Sequence, residues 1–199
     1  MGQVGLARYP FQLALGLRTL VIRPLKRGDE RELGRFFRTL SAEERAILKD
    51  DVTNPAVIAA WCSNIDHERV VPLVALDGDR IVGDATLHRS RTGWTRHVAS
   101  TRVTVDPEYR RKGLGCALIR ELMALAAQLE LAVLDAEIMA EQKSAIALFV
   151  ELGFRPVATL PLHVADLNNQ LHDLLILSKT IAPVERLSPA AAGPGPGRS

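Results

Sequence analysis

The sequence has little of what a disulfide-rich or metal-binding protein needs. Cys62 and Cys116 are its only cysteines, and they lie too far apart for a C-x-x-C motif. The five histidines are scattered, with no H-E-x-x-H pattern and no paired spacing. We therefore predict no disulfide framework and no metal site.

Long apolar runs and a strong charge of one sign are also missing. No run reaches the ~18 apolar residues of a membrane-spanning helix, and the formal net charge is only +2 at pH 7. The apolar part of the opening segment is short, contains Gln12 and is followed by Arg18 and Arg23 without a small-residue cleavage site, which argues against a signal peptide. We expect a soluble, cytoplasmic protein that binds neither nucleic acid nor a membrane.

The chain does contain enough apolar material for a core. Of its 199 residues, 47% are apolar and 24% are charged, which is typical of one globular domain. We predict that this domain comprises residues 1–181. Residues 182–199 are mostly Pro, Ala, Gly and Ser, so a disordered tail is predicted there.

Apolar periodicity divides the domain into strands and helices. In the long helix predicted at 113–130, it places Leu114, Leu118, Leu122 and Leu125 on a buried stripe. The turn sequence at 77–79 predicts a hairpin, whereas Ser41–Glu44 and Asn54-Pro55 predict helix starts. Strands are predicted on both sides of the hairpin turn and at 19–25, 94–105, 131–139, 154–160 and 172–181. Helices are predicted at 30–40, 41–48, 54–62, 113–130 and 144–152. The sum is a mixed sheet with helices on both faces, an α/β or α+β domain.

The most distinctive stretch is VTVDPEYRRKGLGCALIREL, which runs from Val103 to Leu122. An alternating apolar run ends at Asp106, and a basic segment with two glycines leads into a long predicted helix. Neither G-x-G-x-x-G nor the P-loop pattern fits this segment. A helix N-terminus can still bind a diphosphate, because its first N–H groups lack partners. Gly113 and Gly115 would leave these amides accessible to a bulky anion, and Arg110, Arg111 and Lys112 would supply mobile positive charge around it. A tight turn beside a solvated basic surface is the alternative at this point.

The ordered pattern V-x-V-D-P-x-Y-R-x-x-G-x-G in this stretch resembles the acetyl-CoA motif of the GNAT superfamily of N-acetyltransferases. The later AEQKSAIALFVELGFRPV, residues 140–157, resembles a second hallmark of that family, a helix that ends in Leu-Gly-Phe. The resemblance covers residues 19–181. It implies the family fold, a mixed and mostly antiparallel sheet with a splayed strand pair and helices on both faces.

The resemblance also implies acetyl-CoA as the cosubstrate. The backbone of Val103 and Val105 would bind the pantetheine arm, the amides of residues 111–115 would hold the diphosphate, and residues 133–138 would splay away to open a slot for the thioester. Gln142 stands where relatives usually have Asn. The residues assigned to the cofactor in this way are Val103, Val105, Arg110, Arg111, Lys112, Gly113, Leu114, Gly115 and Gln142.

Proton transfer is where the sequence departs from the family. Many relatives carry a Glu base on the fourth strand of the family fold and a Tyr acid on the late helix, and these positions hold Ser100 and Phe149 here. Three interpretations stay open: a well-positioned amine transfers its proton to water, another residue serves as base, or the domain binds acetyl-CoA without turnover. Glu137 is the predicted catalytic residue, and a solvated or paired strand carboxylate is its alternative role.

We therefore predict an N-acetyltransferase that moves acetyl from acetyl-CoA directly to an amine of a small molecule or a protein. A non-catalytic acetyl-CoA sensor or scaffold is the alternative function. A homodimer is carried over from the family by analogy alone.

Overall fold

The computed structural model describes residues 6–90 and 92–182. Apart from Ala182, the predicted tail lies outside these residues. The strands are β1 (Phe11–Leu15), β2 (Arg18–Pro24), β3 (Val70–Asp77), β4 (Arg80–Arg89), β5 (Val98–Val105), β6 (Val133–Met139), β7 (Arg155–Ala165) and β8 (Leu171–Thr180). The helices are α1 (Glu30–Arg38), α2 (Ala42–Ala46), α3 (Pro55–Ser63), α4 (Leu114–Gln128) and α5 (Lys143–Glu151), with a 3-10 turn at Pro107–Tyr109. Among the residues described, no helix is both long and apolar enough to span a membrane.

The strands form one sheet in the order β1-β2-β3-β4-β5-β6-β8-β7. Neighbouring strands are antiparallel except β5 and β6, which run parallel. Parallel neighbours need a crossover connection, and α4 provides it. The predicted mixed, mostly antiparallel sheet is confirmed.

Apolar clusters cover both faces of this sheet. The larger cluster includes Leu114, Leu118 and Leu122, which form the predicted buried stripe of α4. The smaller cluster packs α1 and α3 on the opposite face, where Phe37 contacts Trp61 edge-on with ring centroids 5.9 Å apart. Each fully buried side chain of this size contributes ~1.5–3 kcal/mol, so packing on both faces stabilises the sheet.

The predicted helix starts are confirmed in atomic detail. The Ser41 hydroxyl accepts a hydrogen bond from the Glu44 N–H at 3.2 Å, and the Ser41 N–H donates to the Glu44 carboxylate at 2.9 Å. Asn54 accepts from the Ala56 N–H at 3.0 Å, with Pro55 at the first helical position. These caps fix where α2 and α3 begin and therefore how they cover the sheet.

Two strand predictions were wrong or incomplete. β1 was missed: its alternation covers only five residues, and a turn at Gly16, with φ +60°, pairs it with β2. β5 begins at Val98 rather than Trp94, because residues 94–97 form a turn after Gly93, whose φ is +80°. Trp94 is 90% exposed as a result.

We predict that Gly83→Ala lowers the free energy of unfolding by ~1–3 kcal/mol, because an added methyl group would overpack the contact between β4 and α4. A Cβ at Gly83 would lie 3.0 Å from Leu118 Cδ1 and 3.3 Å from Leu114 Cδ2. The control is Gly34→Ala in α1, whose Cβ would meet its neighbours no closer than 3.5 Å. That variant should gain ~0.4–1 kcal/mol. Urea unfolding of both proteins tests the pair, and equal stabilities would contradict this packing.

Candidate active site

β5 and β6 begin as parallel neighbours and then separate. Their last paired residues are Ser100 and Asp135. Beyond this fork, β5 stays paired with β4 as far as Val105, whereas β6 stays paired with β8 as far as Met139. The predicted splay is therefore present, and it leaves β5 with an unpaired edge. Such an edge can bind an extended ligand as an added strand.

Buried polar contacts hold the segment that follows β5. The carboxylate of Asp106 is inaccessible to solvent and accepts hydrogen bonds from the Glu108 N–H at 2.9 Å and from Arg80 at 2.7 Å. Tyr109 is also buried, and its hydroxyl donates to Asp77 at 2.5 Å. The D-P-E-Y part of the motif therefore anchors the chain between β5 and α4.

The start of α4 presents a row of free amides. No hydrogen bond between described residues engages the N–H groups of residues 111–116. Gly113 caps the helix in the left-handed conformation, with φ +90°, and Arg111 has φ +55°. Successive amides in such conformations form a concave nest that binds anions. The segment therefore fits the diphosphate predicted from the sequence.

The three basic side chains beside these amides differ in how they are held. Arg110 donates its Nε–H to the Val105 carbonyl at 3.0 Å and forms an ion pair with Glu44. Lys112 donates to a backbone carbonyl at 2.5 Å. Arg111 has no side-chain partner in the described part of the chain. The expected mobile charge is therefore not found for all three, because Arg110 is tied to β5 and α2 and Lys112 is tied to the Glu108 carbonyl.

The two glycines of the motif have different structural roles. Gly113 needs its positive φ, and a Cβ there would contact only Leu15 Cδ1, at 3.9 Å. At Gly115 a Cβ would lie 3.1 Å from Leu148 Cδ2. We expected both glycines to clear space for a ligand, whereas the structure shows that Gly115 makes room for α5.

A cavity of about 600 Å³ opens beside the fork, between the sheet and the helices of the smaller apolar cluster. One side of it is apolar; we call this the apolar wall, formed by Leu25, Leu33, Phe37, Val52 and Trp61. The other side consists of polar residues on β4 and β5; we call it the polar floor, formed by Asp84, Thr86, His88, Arg102 and Thr104. A cavity with one apolar and one polar side suits a small amphipathic group.

Four residues selected from the sequence also line this cavity: Val103, Glu137, Gln142 and Phe149. Glu137 forms an ion pair with Lys49. The side-chain Oε1 of Gln142 accepts a hydrogen bond from the Met139 N–H at 3.1 Å, just before α5. Phe149 is buried. The cavity thus brings Glu137 together with two of the predicted cofactor residues, Val103 and Gln142, whereas Val105 and residues 110–115 are not among the residues that line it.

Sequence reasoning missed two titratable groups on the polar floor. Burial raises the pKa of the Asp84 carboxyl to about 7, although the Arg102 charge opposes this. Burial, helped by the charges of Arg102 and Lys49, lowers the pKa of His88 to about 4. The signal was the polar alternation at 84, 86 and 88 within RIVGDATLHR. That alternation equally fits a solvent-exposed sheet face, so it did not single out a cavity.

Comparison with known proteins agrees with this geometry. Residues 35–154 match the acetyltransferase (GNAT) family. The chain belongs to this family. The solved ribosomal-protein-alanine N-acetyltransferase of Brucella melitensis has a TM-score of 0.68 at 27% identity, over 80% of this chain and 98% of that one. A Salmonella typhimurium acetyltransferase solved with its cofactor acetyl-CoA has a TM-score of 0.72 at 21% identity, over 87% and 99%.

Sequence relatives of this GNAT chain cover less of it. The [ribosomal protein bS18]-alanine N-acetyltransferase of Escherichia coli (strain K12) is 34% identical over 80 residues. The match includes 40% of this chain and 53% of that relative, so the chain spans about half the length of the curated relatives it matches.

In this GNAT domain, the two departures noted in the sequence lie at the fork and in the cavity. Ser100 is the last residue of β5 that pairs with β6, and Phe149 lines the cavity. Neither side chain exchanges a proton near neutral pH. Proton transfer would therefore need another side chain or water.

We predict that Asp84→Asn stabilises the fold at pH 8 and has little effect near pH 4. The Asp84 carboxyl has a folded pKa of about 7 against an ordinary value of 3.8. The folded state binds more protons between these values, so wild-type stability falls as pH rises through them. A shift of this size corresponds to at most ~4 kcal/mol, and we expect a gain of ~2–4 kcal/mol in urea unfolding at pH 8.

His88→Gln is the matched control with the opposite slope. The folded pKa of His88 is about 4 against an ordinary 6.5, so its protonation destabilises the wild type as pH falls through that window. His88→Gln should therefore be relatively more stable at pH 4 than at pH 8. A pH-independent effect of Asp84→Asn would contradict the burial of this carboxyl.

Proposed function

We propose that this protein is an acetyl-CoA-dependent N-acetyltransferase that transfers acetyl directly to an amine. One observation carries the proposal: the N–H groups of residues 111–116, which have no hydrogen-bond partner among the described residues, lie one 3-10 turn beyond the unpaired edge of β5. An amide nest suits a diphosphate, and an unpaired strand edge suits an extended chain that contains amides. Coenzyme A carries these two chemical groups next to each other.

The residues that would hold acetyl-CoA follow from this arrangement. The N–H groups of residues 111–115 would bind the diphosphate, with the unpaired Arg111 side chain as a countercharge. Val103 would bind the pantetheine arm through its backbone. Val105 would do so less, since its carbonyl already accepts a guanidinium hydrogen bond. Gln142 would approach the arm from the start of α5. When bound, acetyl-CoA supplies the activated acetyl group.

Glu137 is our proposed proton acceptor. It lines the cavity on the β6 side of the fork, where an amine entering from the cavity would meet it. Its ion pair with Lys49 has to open first, because a paired carboxylate is a poor base. Phe149 offers no proton, so water would serve as the acid.

The acceptor in this proposal is an amine of a protein or of a small molecule. The Escherichia coli and Brucella relatives carry the names of enzymes that act on ribosomal-protein alanine, which favours a protein N-terminus. A homodimer is part of the proposal by analogy with the family. A cytoplasmic location without nucleic-acid or membrane binding is proposed from the small net charge and the absence of long apolar runs in the sequence.

A non-catalytic acetyl-CoA sensor is the second candidate function. The observation that favours it is the pair Ser100 and Phe149, which leaves the usual acid and base positions without a titratable side chain near neutral pH. Both candidates share the cofactor residues, so only turnover separates them.

We predict that acetyl-CoA consumption depends on an added amine, measured as thiol release with alkyl amines, a polyamine and a peptide with a free N-terminus. Glu137→Gln should lower kcat at least ~100-fold, because the ammonium proton loses its acceptor, while coenzyme A affinity stays unchanged. Lys49→Met is the control, since it opens the ion pair but keeps the carboxylate, and it should retain turnover.

Two results would count against these assignments. Tight acetyl-CoA binding without amine-dependent thiol release would favour the sensor. A normal rate in Glu137→Gln would remove Glu137 as the proton acceptor.

We predict that Gly113→Val weakens coenzyme A binding at least ~10-fold in calorimetry, because a branched side chain disfavours the left-handed backbone that aligns the amides. Gly113→Asn is the control, since Asn tolerates this conformation, and it should retain most of the affinity. Gly115→Val is a poorer test because it would disturb packing against Leu148. Normal affinity in a folded Gly113→Val protein would place the diphosphate elsewhere.

A further inference from the structure

The polar floor contains a carboxylate without a hydrogen-bond donor. Four carboxylates line the cavity, and three of them are engaged. The engaged contacts are Glu137 with Lys49, Asp50 with Arg102, and Asp66 with the N–H of Glu68. Asp84 accepts no hydrogen bond from the residues that the structure describes; burial and the charge of Arg102 alone shift the pKa of its carboxyl. Asp84 is half-buried and lines the cavity, so its carboxylate oxygens are open to a ligand group that can donate to them.

Asp84 lies where the apolar core ends and the cavity begins. It stands on β4 between Val74 of β3 and Thr104 of β5. Val74 and Ile81 belong to the smaller apolar cluster under α1 and α3. The side chain of Asp84 lines the cavity, so a ligand there can reach it.

The nearest guanidinium is directed to another partner. Arg102 donates from Nη1 to Asp50 at 3.1 Å, and its Nε–H is buried without an acceptor. The polar floor therefore presents unsatisfied acceptor oxygens from Asp84 and an unsatisfied donor from Arg102. A ligand with a donor group would satisfy the Asp84 oxygens, whereas the Arg102 donor needs an acceptor from water or from another part of the ligand.

Asp84 and Glu137 stand on opposite sides of β5. Asp84 belongs to β4 and Glu137 to β6, so two strand spacings of about 4.8 Å or more separate their backbones. In register, Asp84 lies opposite Thr104, whereas the fork opens at Ser100. A group held by Asp84 is therefore several bonds away from an amine that reacts near Glu137.

We propose that Asp84 binds a second cationic group of the acceptor, separate from the amine that is acetylated. The proposal rests on the acetyl-transfer function proposed above. A cation with N–H donors satisfies both the charge and the free oxygens of this carboxylate. The apolar wall, with Leu33, Phe37 and Trp61, suits the methylene chain between the two nitrogens. An alkyl diamine has this chemistry, and so does a peptide N-terminus followed by a basic side chain.

The test compares matched ligands that differ only in the second cation. Cadaverine and n-pentylamine form one pair; the dipeptide amides Ala-Lys and Ala-norleucine form the other. Calorimetry with the coenzyme A-saturated protein at pH 8 should show at least ~10-fold tighter binding for the dicationic member of one pair. Preference within the alkyl pair identifies a small diamine, and preference within the peptide pair identifies a protein N-terminus.

Two variants make this comparison specific to Asp84. Asp84→Asn should abolish the preference while leaving n-pentylamine and coenzyme A binding unchanged, and its unfolding curve at pH 8 verifies that it is folded. Thr86→Val alters the neighbouring floor residue without touching the carboxylate and should keep the preference. A preference that survives in Asp84→Asn, or no preference in the wild type, would overturn the proposal.

The preference should also fall as pH drops through about 7, where Asp84 becomes protonated. The other charged or titratable groups that line the cavity are Arg102, His88, Lys49, Asp50, Asp66, Arg69 and Glu137. Cys62 is also close enough for the Asp84 charge to act on its thiol. With pKa values of about 4 and about 11, His88 and Cys62 keep their charge between pH 6 and 8.5. A preference unchanged over this range would exclude Asp84 as its source.

Binding and turnover separate this inference from the proposed function. If the dication preference depends on Asp84 but no amine is acetylated, the subsite stands and the acetyl-transfer function fails. If amines are acetylated without any dication preference, the function stands and the subsite fails.

Discussion

The fork between β5 and β6 determines where the other parts of the site lie. β5 keeps its ladder with β4 and β6 keeps its ladder with β8, so each strand is fixed on its outer side. On their inner edges, the N–H and C=O groups of both strands lack strand-to-strand hydrogen bonds, each of which would contribute ~1 kcal/mol. Water or a ligand must therefore hydrogen-bond these groups. The cavity and the amide row both begin at this gap. Because strand pairing alone creates the gap, the site is open without a conformational change.

The rigidity of the junction makes the amide row useful as a binding site. Asp106 and Tyr109 are buried and hydrogen-bonded, so the segment between the end of β5 and the start of α4 is anchored to the core. Arg111 at φ +55° costs ~1–3 kcal/mol, which the surrounding contacts offset. Amides aligned before a ligand arrives lose little entropy on binding, which favours affinity for a flexible nucleotide.

The sequence predicted those parts of the structure that local chemistry decides. The capping box at Ser41, the Asn54-Pro55 start and the stripe of α4 each depend on residues a few positions apart, and each is confirmed. β1 was missed because its stability comes from pairing with β2, and an alternation of only five residues does not predict that pairing. The packing role of Gly115 depends on Leu148, and the cavity at Asp84 depends on helices from elsewhere in the chain. Such contacts between distant residues leave no periodic signal.

The electrostatics of the polar floor have a single cause, which also indicates what the cavity can hold. Burial is the largest cause of both pKa shifts: it raises the pKa of Asp84 and lowers that of His88, and each shift favours the neutral form of the side chain. The cavity therefore opposes any unpaired charge, positive or negative. A cation that binds beside Asp84 favours the carboxylate, so its binding near neutral pH would release a proton. The same burial that lowers stability at this position thus strengthens the contact once a partner of opposite charge is present.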